Sequence, residues 1–508
     1  MSVRAALVLL LSASAALGIP PRGELRLHGL FGDGMVLQRD APCPVWGSAD
    51  PGTEVAVAFA GRRKAATAGA DGRWMVRLDP TPAGGPYELT VEGPARLVVR
   101  DVLVGDVWLA TGGSKMEAPL KSSQARATVS DEQLERLRLF RVAPREEDEP
   151  ARDARGGWAS RDARAAADFS AVAYLFGLEI LEKQRVPVGL IQATAPDAPP
   201  ELWISPAGLA KSPAARTVLM NHRRALENFA SATTLHYYAV RKARERGRDP
   251  DAIPPPPRPG APCRLYNGMI APLAPYALRG AIAHPSESHV QDAGLLGATI
   301  EAWREEWGRG DFPFGFVQLG RLGTRAAAPE NSDWAEFRVQ QERTAALPKV
   351  GMVVSLDVGD PADERPRTAL DVAQRLALWA QAAAYGRDLV WSGPVFESLK
   401  SEGDRLRLRF RNAGGGLVAG GGGLAGFAVA DDFMEYAWAE ARIEDDSVVV
   451  WNEKMKFPTH VRYAWGDNPR GTLYNREGLP AHPFRTDDWG APRRPGPRRP
   501  VPPAPADR

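Results

Sequence analysis

Three times along this chain a helical apolar pattern adjoins a short, mainly apolar strand. Ser170 to Gln184 carries Val172, Leu175, Phe176, Leu178 and Ile180 at helical spacing and leads into Val186-Pro187-Val188-Gly189-Leu190-Ile191. Leu295, Leu296, Ile300, Trp303 and Trp307 mark a second helix, followed by the strand Phe314 to Leu319. Met352 to Val358 is another apolar strand, with a long helix from Thr368 to Tyr385 behind it. An earlier strand, Asp101 to Leu109, runs into Thr111-Gly112-Gly113-Ser114. Strands that are apolar on both faces have to be covered on both faces. The alternation therefore predicts a parallel sheet with helices on either side.

On both flanks the period changes from helical to alternate. From about Leu25 to Arg100, runs such as Met35 to Gln38, Cys43 to Gly47, Thr53 to Phe59, Trp74 to Leu78 and Tyr87 to Val91 are separated by Gly, Pro and Asp. That spacing predicts a small antiparallel sandwich. Beyond Gly393, Arg405 to Phe410 alternates cleanly, and Val448 to Trp451 and Val461 to Trp465 read as further strands. The expected organisation is an N-terminal β-sandwich at 24–100, an α/β domain at 101–392, a C-terminal β-rich region at 393–489 and a disordered Arg/Pro-rich tail at 490–508. Asp249 to Pro262 reads as a proline-rich loop.

At the N-terminus Arg4 precedes an apolar run from Ala5 to Leu17 that ends in small residues at Gly18. This is the pattern of a signal peptide at 1–18. The run is shorter than the roughly 20 apolar residues of a spanning helix. Cleavage is expected rather than anchoring, with a secreted, periplasmic or lysosomal/lumenal destination. No other segment is long and apolar enough to span a membrane.

The net charge of +2, with Lys and Arg spread along the chain, carries no basic stripe of the kind that nucleic acid requires. Cys43 and Cys263 are the two cysteines. They are too few for metal-ligand spacing, and they stand either as one disulfide or as two buried thiols. No cofactor and no metal is expected.

A serine just past the C-terminal end of a parallel strand sits where such sheets place their active sites. Taken alone, Gly-Gly-Ser is also a common capping turn. The wider context is more specific. Gly105-Asp106-Val107-Trp108-Leu109 followed by Gly112-Gly113-Ser114-Lys115-Met116 resembles the sialate O-acetylesterase signature, in which GDVWL runs into GQSNM. Ordered matches continue through Gly84-Gly85-Pro86-Tyr87, Pro187-Val188-Gly189-Leu190-Ile191, Leu265 to Pro272, Val461 to Trp465 and Leu479 to Asp487. The resemblance covers nearly the whole mature chain. It implies a flavodoxin-like SGNH hydrolase sheet flanked by β-rich regions. It also implies acyl transfer through a Ser-His-Asp triad with an oxyanion hole, acting on O-acetylated sialic acid or another acetylated glycan.

Ser114 matches the nucleophile and Asp363 the orienting acid. The other blocks depart from the pattern. The Gln and Asn beside the family serine are here Gly113 and Lys115. The block WGGTPIEAW reads Ala195-Pro196-Asp197-Ala198-Pro199-Pro200-Glu201-Leu202-Trp203. Pro196 has no N–H to donate, and Asp197 would set a negative charge near a developing oxyanion. The block WYQGESN reads Ala283-His284-Pro285-Ser286-Glu287-Ser288-His289. In the final D-x-H-P block the base position holds Arg365, which stays protonated and cannot accept the serine proton. His284 and His289 are the candidate substitute bases, and His289 also stands at an oxyanion position. Three readings follow. One is an O-acetylesterase with a rearranged site. Another is a pseudoenzyme that binds acidic or acetylated glycans through cations such as Arg365 and Lys115. The third is a folded interaction protein.

Overall fold

The computed structural model describes residues 24–123, 130–286, 294–359, 369–433 and 435–487. The expected signal peptide, the Arg/Pro-rich tail and the positions Asp363, Arg365 and His289 lie outside the described residues. The chain divides into two compact units, one of residues 1–320 with 340–392 and the other of 321–339 with 393–508.

In the first unit a strand of 17 residues, β8 (Arg96–Gly112), carries the architecture. Its first half pairs antiparallel with β7 (Gly84–Glu92) and parallel with β2 (Val36–Gln38). Its second half pairs parallel with β11 (Val188–Thr194) on one side and β12 (Gly280–His284) on the other. The expected boundary at 100/101 therefore falls inside a continuous strand. On the N-terminal side, β4 (Glu54–Phe59) joins β5 (Arg62–Thr67) to β7, while β3 (Cys43–Ser48) lies between β1 (Arg26–Leu27) and β6 (Arg73–Leu78) in a separate three-stranded sheet. On the other side β9 (Leu137–Arg141), β13 (Phe314–Val317) and β14 (Val350–Val353) complete a parallel sheet in the order β9-β11-β8-β12-β13-β14, with β10 (Trp158–Ala159) antiparallel at its edge. The protein is thus mixed α/β, with parallel and antiparallel pairing in one sheet.

Successive strand residues point to opposite faces, and the core divides accordingly. Trp108, Ala110, Val188, Leu190, Ile282, Val317 and Val353 join one buried cluster. It is covered by two helices that pack on each other, Ala171–Gln184 and Ala369–Ala383. Val107, Leu109, Ile191, Ala193, Ala281, Phe314 and Met352 join the other cluster, which runs on without a break into Val45, Trp74 and Leu89 of the N-terminal strands. One end of β8 is fixed by a buried carboxylate. Asp106 accepts from Gln38, from Arg39 Nε (2.9 Å), from Arg279 Nε (3.0 Å) and from the Tyr385 hydroxyl (3.0 Å). Both cysteines are buried free thiols. Burial pushes the Cys43 thiol up to about 11 and the Cys263 thiol up to about 12.

Between β11 and β12 the structure adds an element that the sequence reading does not anticipate, the 31-residue helix Ala215–Glu245. Only Ala215, Val218 and Ala243 are buried on it, while His222, Ala225, Phe229, Ala232, His236 and Val240 form a half-buried stripe at spacings of three and four. In the proline-rich segment that follows, Ile253, Pro256, Pro259 and Pro262 are half-buried. A repeat of three is that of a polyproline II helix. The helix is about 45 Å long at 1.5 Å per residue; after the 3-10 turn Pro250–Ala252, the run from Ile253 to Cys263 is about 31 Å at 3.1 Å per residue. Ala215, Val218 and Cys263 share one small buried cluster, so the helix starts where its proline-rich return ends. No described helix is long and apolar enough to cross a membrane.

The second unit is built of antiparallel sheets. Four strands, Val395–Ser401, Arg405–Arg411, Ser447–Trp451 and Glu440–Glu444, form one of them in that order. Ala437–Trp438, Phe427–Ala430, His460–Tyr463 and Phe484–Arg485 form another. The alternation read from Arg405 to Phe410 appears directly, with Leu406, Leu408 and Phe410 buried.

Candidate active site

From β8 the chain passes to β9 on one side, returns to β11 next to β8, and then crosses to β12 on the other side, so the strand order reverses at β8. In open α/β sheets such a switch point opens a crevice at the carboxyl ends of the strands. β8 ends there in Gly112, whose φ of +136° is open to glycine and strained for other residues. A β-carbon at this position would also run into the His284 carbonyl. Gly113 N–H donates to that carbonyl (3.1 Å), and Ala195 N–H donates to the Gly112 carbonyl (3.1 Å). The turn is therefore stitched to β12 on one side and to the segment after β11 on the other. It delivers Ser114 as the first residue of a single helical turn, Ser114–Glu117.

Ser114 Oγ donates to Asp197 Oδ1 at 2.9 Å. Asp197 has φ +52°, a left-handed conformation that Asp and Asn tolerate better than most residues. The segment bearing it is held at both ends, by the Ala195–Gly112 hydrogen bond and by Ser286 Oγ donating to the Ala198 carbonyl at 3.3 Å. The residue read from sequence as adverse to an oxyanion is thus the hydrogen-bond acceptor of the candidate nucleophile. Pro196, beside it, supplies no N–H, and the Gly113 N–H is already used by His284.

His284 is buried at the end of β12, in register with Gly112. Desolvation, and secondarily the Lys115 ammonium, push its imidazole down to about 3, so it is neutral at ordinary pH. Its Nδ1 lies 3.5 Å from the Pro285 carbonyl. The structure brings Ser114, Gly113, Pro196, Asp197 and His284 to one end of the sheet. Ser286 belongs to the same cluster, and sequence reasoning gave it no role. A β-carbon placed on Gly113 would lie 2.5 Å from Ser286 Cβ.

Among the described residues no group of His, Cys, Asp and Glu could hold a metal ion. A cavity of about 470 Å³ lies elsewhere in the first unit, lined by Lys211, Glu301, Glu305 and Arg343 among others, and none of the residues around Ser114 contributes to it.

No family model matches the chain. It is 27% identical over 443 residues to a sialate O-acetylesterase from Pongo abelii, covering 78% of this chain and 76% of that protein. It is 26% identical over 442 residues to a sialate O-acetylesterase from Homo sapiens, with the same coverage. Among solved structures it is similar to a carbohydrate acetylesterase from Xanthomonas citri, with a TM-score of 0.76 and 35% identity over 91% of this chain and 100% of that one. With the GDVWL strand, the Gly-Gly-Ser turn and the fold in agreement, the chain belongs to the sialate O-acetylesterase family of carbohydrate esterases.

Proposed function

We propose that this chain removes O-acetyl groups from sialic acids or related acetylated glycans, with Ser114 as the nucleophile. The observation that carries the reading is the place of Ser114. It stands on a Gly-Gly turn at the carboxyl end of the central parallel strand, with its hydroxyl already hydrogen-bonded to a carboxylate. Reading the parallel sheet as an SGNH-type, flavodoxin-like core accounts for a crevice at this end. The N–H of Ser114, first in its helical turn and without an intrahelical acceptor by position, is the donor for the oxyanion. Arg365 cannot act as a base. In this reading its guanidinium, together with the Lys115 ammonium, meets the carboxylate or hydroxyls of an acidic sugar.

The experiment is hydrolysis of a chromogenic acetyl ester and of an O-acetylated sialic acid by the full chain beside Ser114→Ala. Turnover that disappears in Ser114→Ala supports the reading. Equal rates for the two proteins, from samples that melt cooperatively, overturn it. The second reading, non-catalytic glycan binding, is favoured by one sequence observation, the permanent cation at position 365. It expects no turnover, and saturable binding of an acetylated acidic glycan that Arg365→Ala weakens.

A further inference from the structure

We propose that Asp197 is the general base that activates Ser114, replacing the histidine of the family mechanism. The inference rests on the reading of Ser114 as nucleophile and goes beyond it by naming the proton acceptor. Geometry comes first for a base, which must lie within about 2.6–3.2 Å of the proton it takes. Asp197 Oδ1 meets that condition at 2.9 Å. Its segment is fixed before and after it, so the carboxylate reaches the hydroxyl from an anchored backbone. The other titratable groups described near the turn are worse suited. Lys115 is a cation and accepts no proton. His284 is buried, with the Lys115 charge opposing any proton it takes up. A fixed anion beside a serine hydroxyl is adverse to an oxyanion on the same spot, but a carboxylate that itself accepts the hydroxyl proton is neutralised as the proton moves. The Gly-Gly-to-Pro-Asp change in this block thus moves the site from stabilising charge on the carbonyl oxygen to taking the proton of the nucleophile.

The steps balance as follows. The Ser114 Oγ–H proton passes to Asp197 Oδ1 as Oγ bonds to the acetyl carbonyl carbon, and the C=O π pair moves onto oxygen. That pair returns, the bond from carbon to the sugar oxygen breaks, and the Asp197 carboxylic acid gives its proton to the departing sugar oxygen. Water then attacks the acetyl-Ser114 ester and Asp197 takes a water proton. Collapse releases acetic acid, and the proton returns to Ser114 Oγ. Asp197 is exposed, so the bound sugar supplies the cover that keeps bulk water from the carboxylate.

The test uses a fluorophosphonate serine probe on the full chain, read as the rate of Ser114 modification by mass spectrometry, together with acetyl-ester turnover. Asp197→Asn keeps an acceptor oxygen but loses basicity. We expect it to slow labelling of Ser114 about 10²–10⁴-fold, the usual contribution of a positioned base. A merely orienting role would leave its rate near that of the native chain. Asp197→Ala should be equally slow and should recover part of its rate in added formate. Labelling in Asp197→Asn as fast as in the native chain overturns the proposal, as does a native Ser114 that the probe does not modify. Loss of labelling in His284→Gln with Asp197→Asn unaffected hands the role to the histidine. Asp197-dependent labelling without acetyl-ester turnover sustains the base and overturns the esterase reading. Turnover that is indifferent to Asp197→Asn does the reverse.

Discussion

A β-carbon on Gly113 would lie 2.5 Å from Ser286 Cβ and 3.2 Å from Ser286 Cα, so positions 113 and 286 have room for one side chain between them. Gly113→Ala is expected to cost about 1–3 kcal/mol, as overpacked cores do. Adding Ser286→Gly should recover most of that loss in thermal unfolding. If the double variant melts no higher than Gly113→Ala, the two positions are not coupled. Asp106 is a second residue whose neighbourhood decides an outcome. Burial alone would raise its carboxyl, but the Arg39 hydrogen bonds and the charges of Arg279 and Arg39 outweigh it and hold the group below its ordinary value. Asp106→Asn leaves two guanidinium groups without their anion, an expected loss of about 3–5 kcal/mol. The sign with pH follows. The folded carboxyl is lowered relative to an unfolded value of about 3.9, so the contribution is complete above that value and is lost as pH falls through the folded one. The gap in melting temperature between native and Asp106→Asn chains should therefore narrow on acidification. The place of Ser114 was legible in sequence because the family match around it, Gly105 to Leu109 running into Gly112-Gly113-Ser114, adds what a Gly-Gly-Ser turn alone does not. Its partner was not. Asp197 is 83 residues away, and its aim depends on a positive φ and on hydrogen bonds that no spacing encodes.

Trp379 packs against the sheet where glycines on two strands leave it space. β-carbons on Gly315 and Gly351 would both collide with its indole ring, and the Trp108 ring meets Phe176 and Trp379 edge-on at centroid distances of 5.0 and 6.2 Å. Gly351→Ala should destabilise the first unit by at least the about 1–3 kcal/mol of a core insertion, seen as a lower denaturant midpoint. An unchanged midpoint would mean that the helix Ala369–Ala383 can shift away freely. The strand-helix alternation that predicted this layer was strong because its strands are apolar on both faces. One strand stops sooner than its residues suggest. Met352 to Val358 reads as extended, yet pairing ends at Val353. Arg375 donates to the Val354 carbonyl (2.6 Å) and to both Asp357 carboxylate oxygens (2.7 Å each), which turns the chain toward its helix. The helix Ala215–Glu245 escaped notice for a different reason. Its half-buried stripe is built largely of Ala and His, which carry little apolar contrast with the Arg, Thr and Asn around them.

The division into two units does not follow the order of the chain, which crosses between them after residues 320, 339 and 392. Nothing in the composition of 321–339 marks it as belonging with the C-terminal sheets, so the sequence reading placed it in the α/β domain. Its tie is Arg338, fully buried and donating to the Gly466 carbonyl (2.7 Å) and the Asp467 carbonyl (3.0 Å), with Ser332 donating to Asp467 (2.6 Å). A chain ending at Ser392 would strip a guanidinium of these acceptors. It is expected to lose soluble yield and cooperative melting, whereas a chain ending at Asp487 keeps both. Equal solubility of the two truncations would show that 321–339 stands without the C-terminal strands.

Time enters through Asp106. Its last partner, Tyr385, follows it by 279 residues. At about 5–20 residues per second, a ribosome needs about 14–56 s to cover that interval. Throughout it the central strand of the sheet has emerged with an ionised carboxylate that the finished fold keeps dry. Completion of this unit therefore waits on a residue made after 321–339, which belongs to the other unit, and a nascent chain stalled before Tyr385 carries an unfinished, water-accessible core.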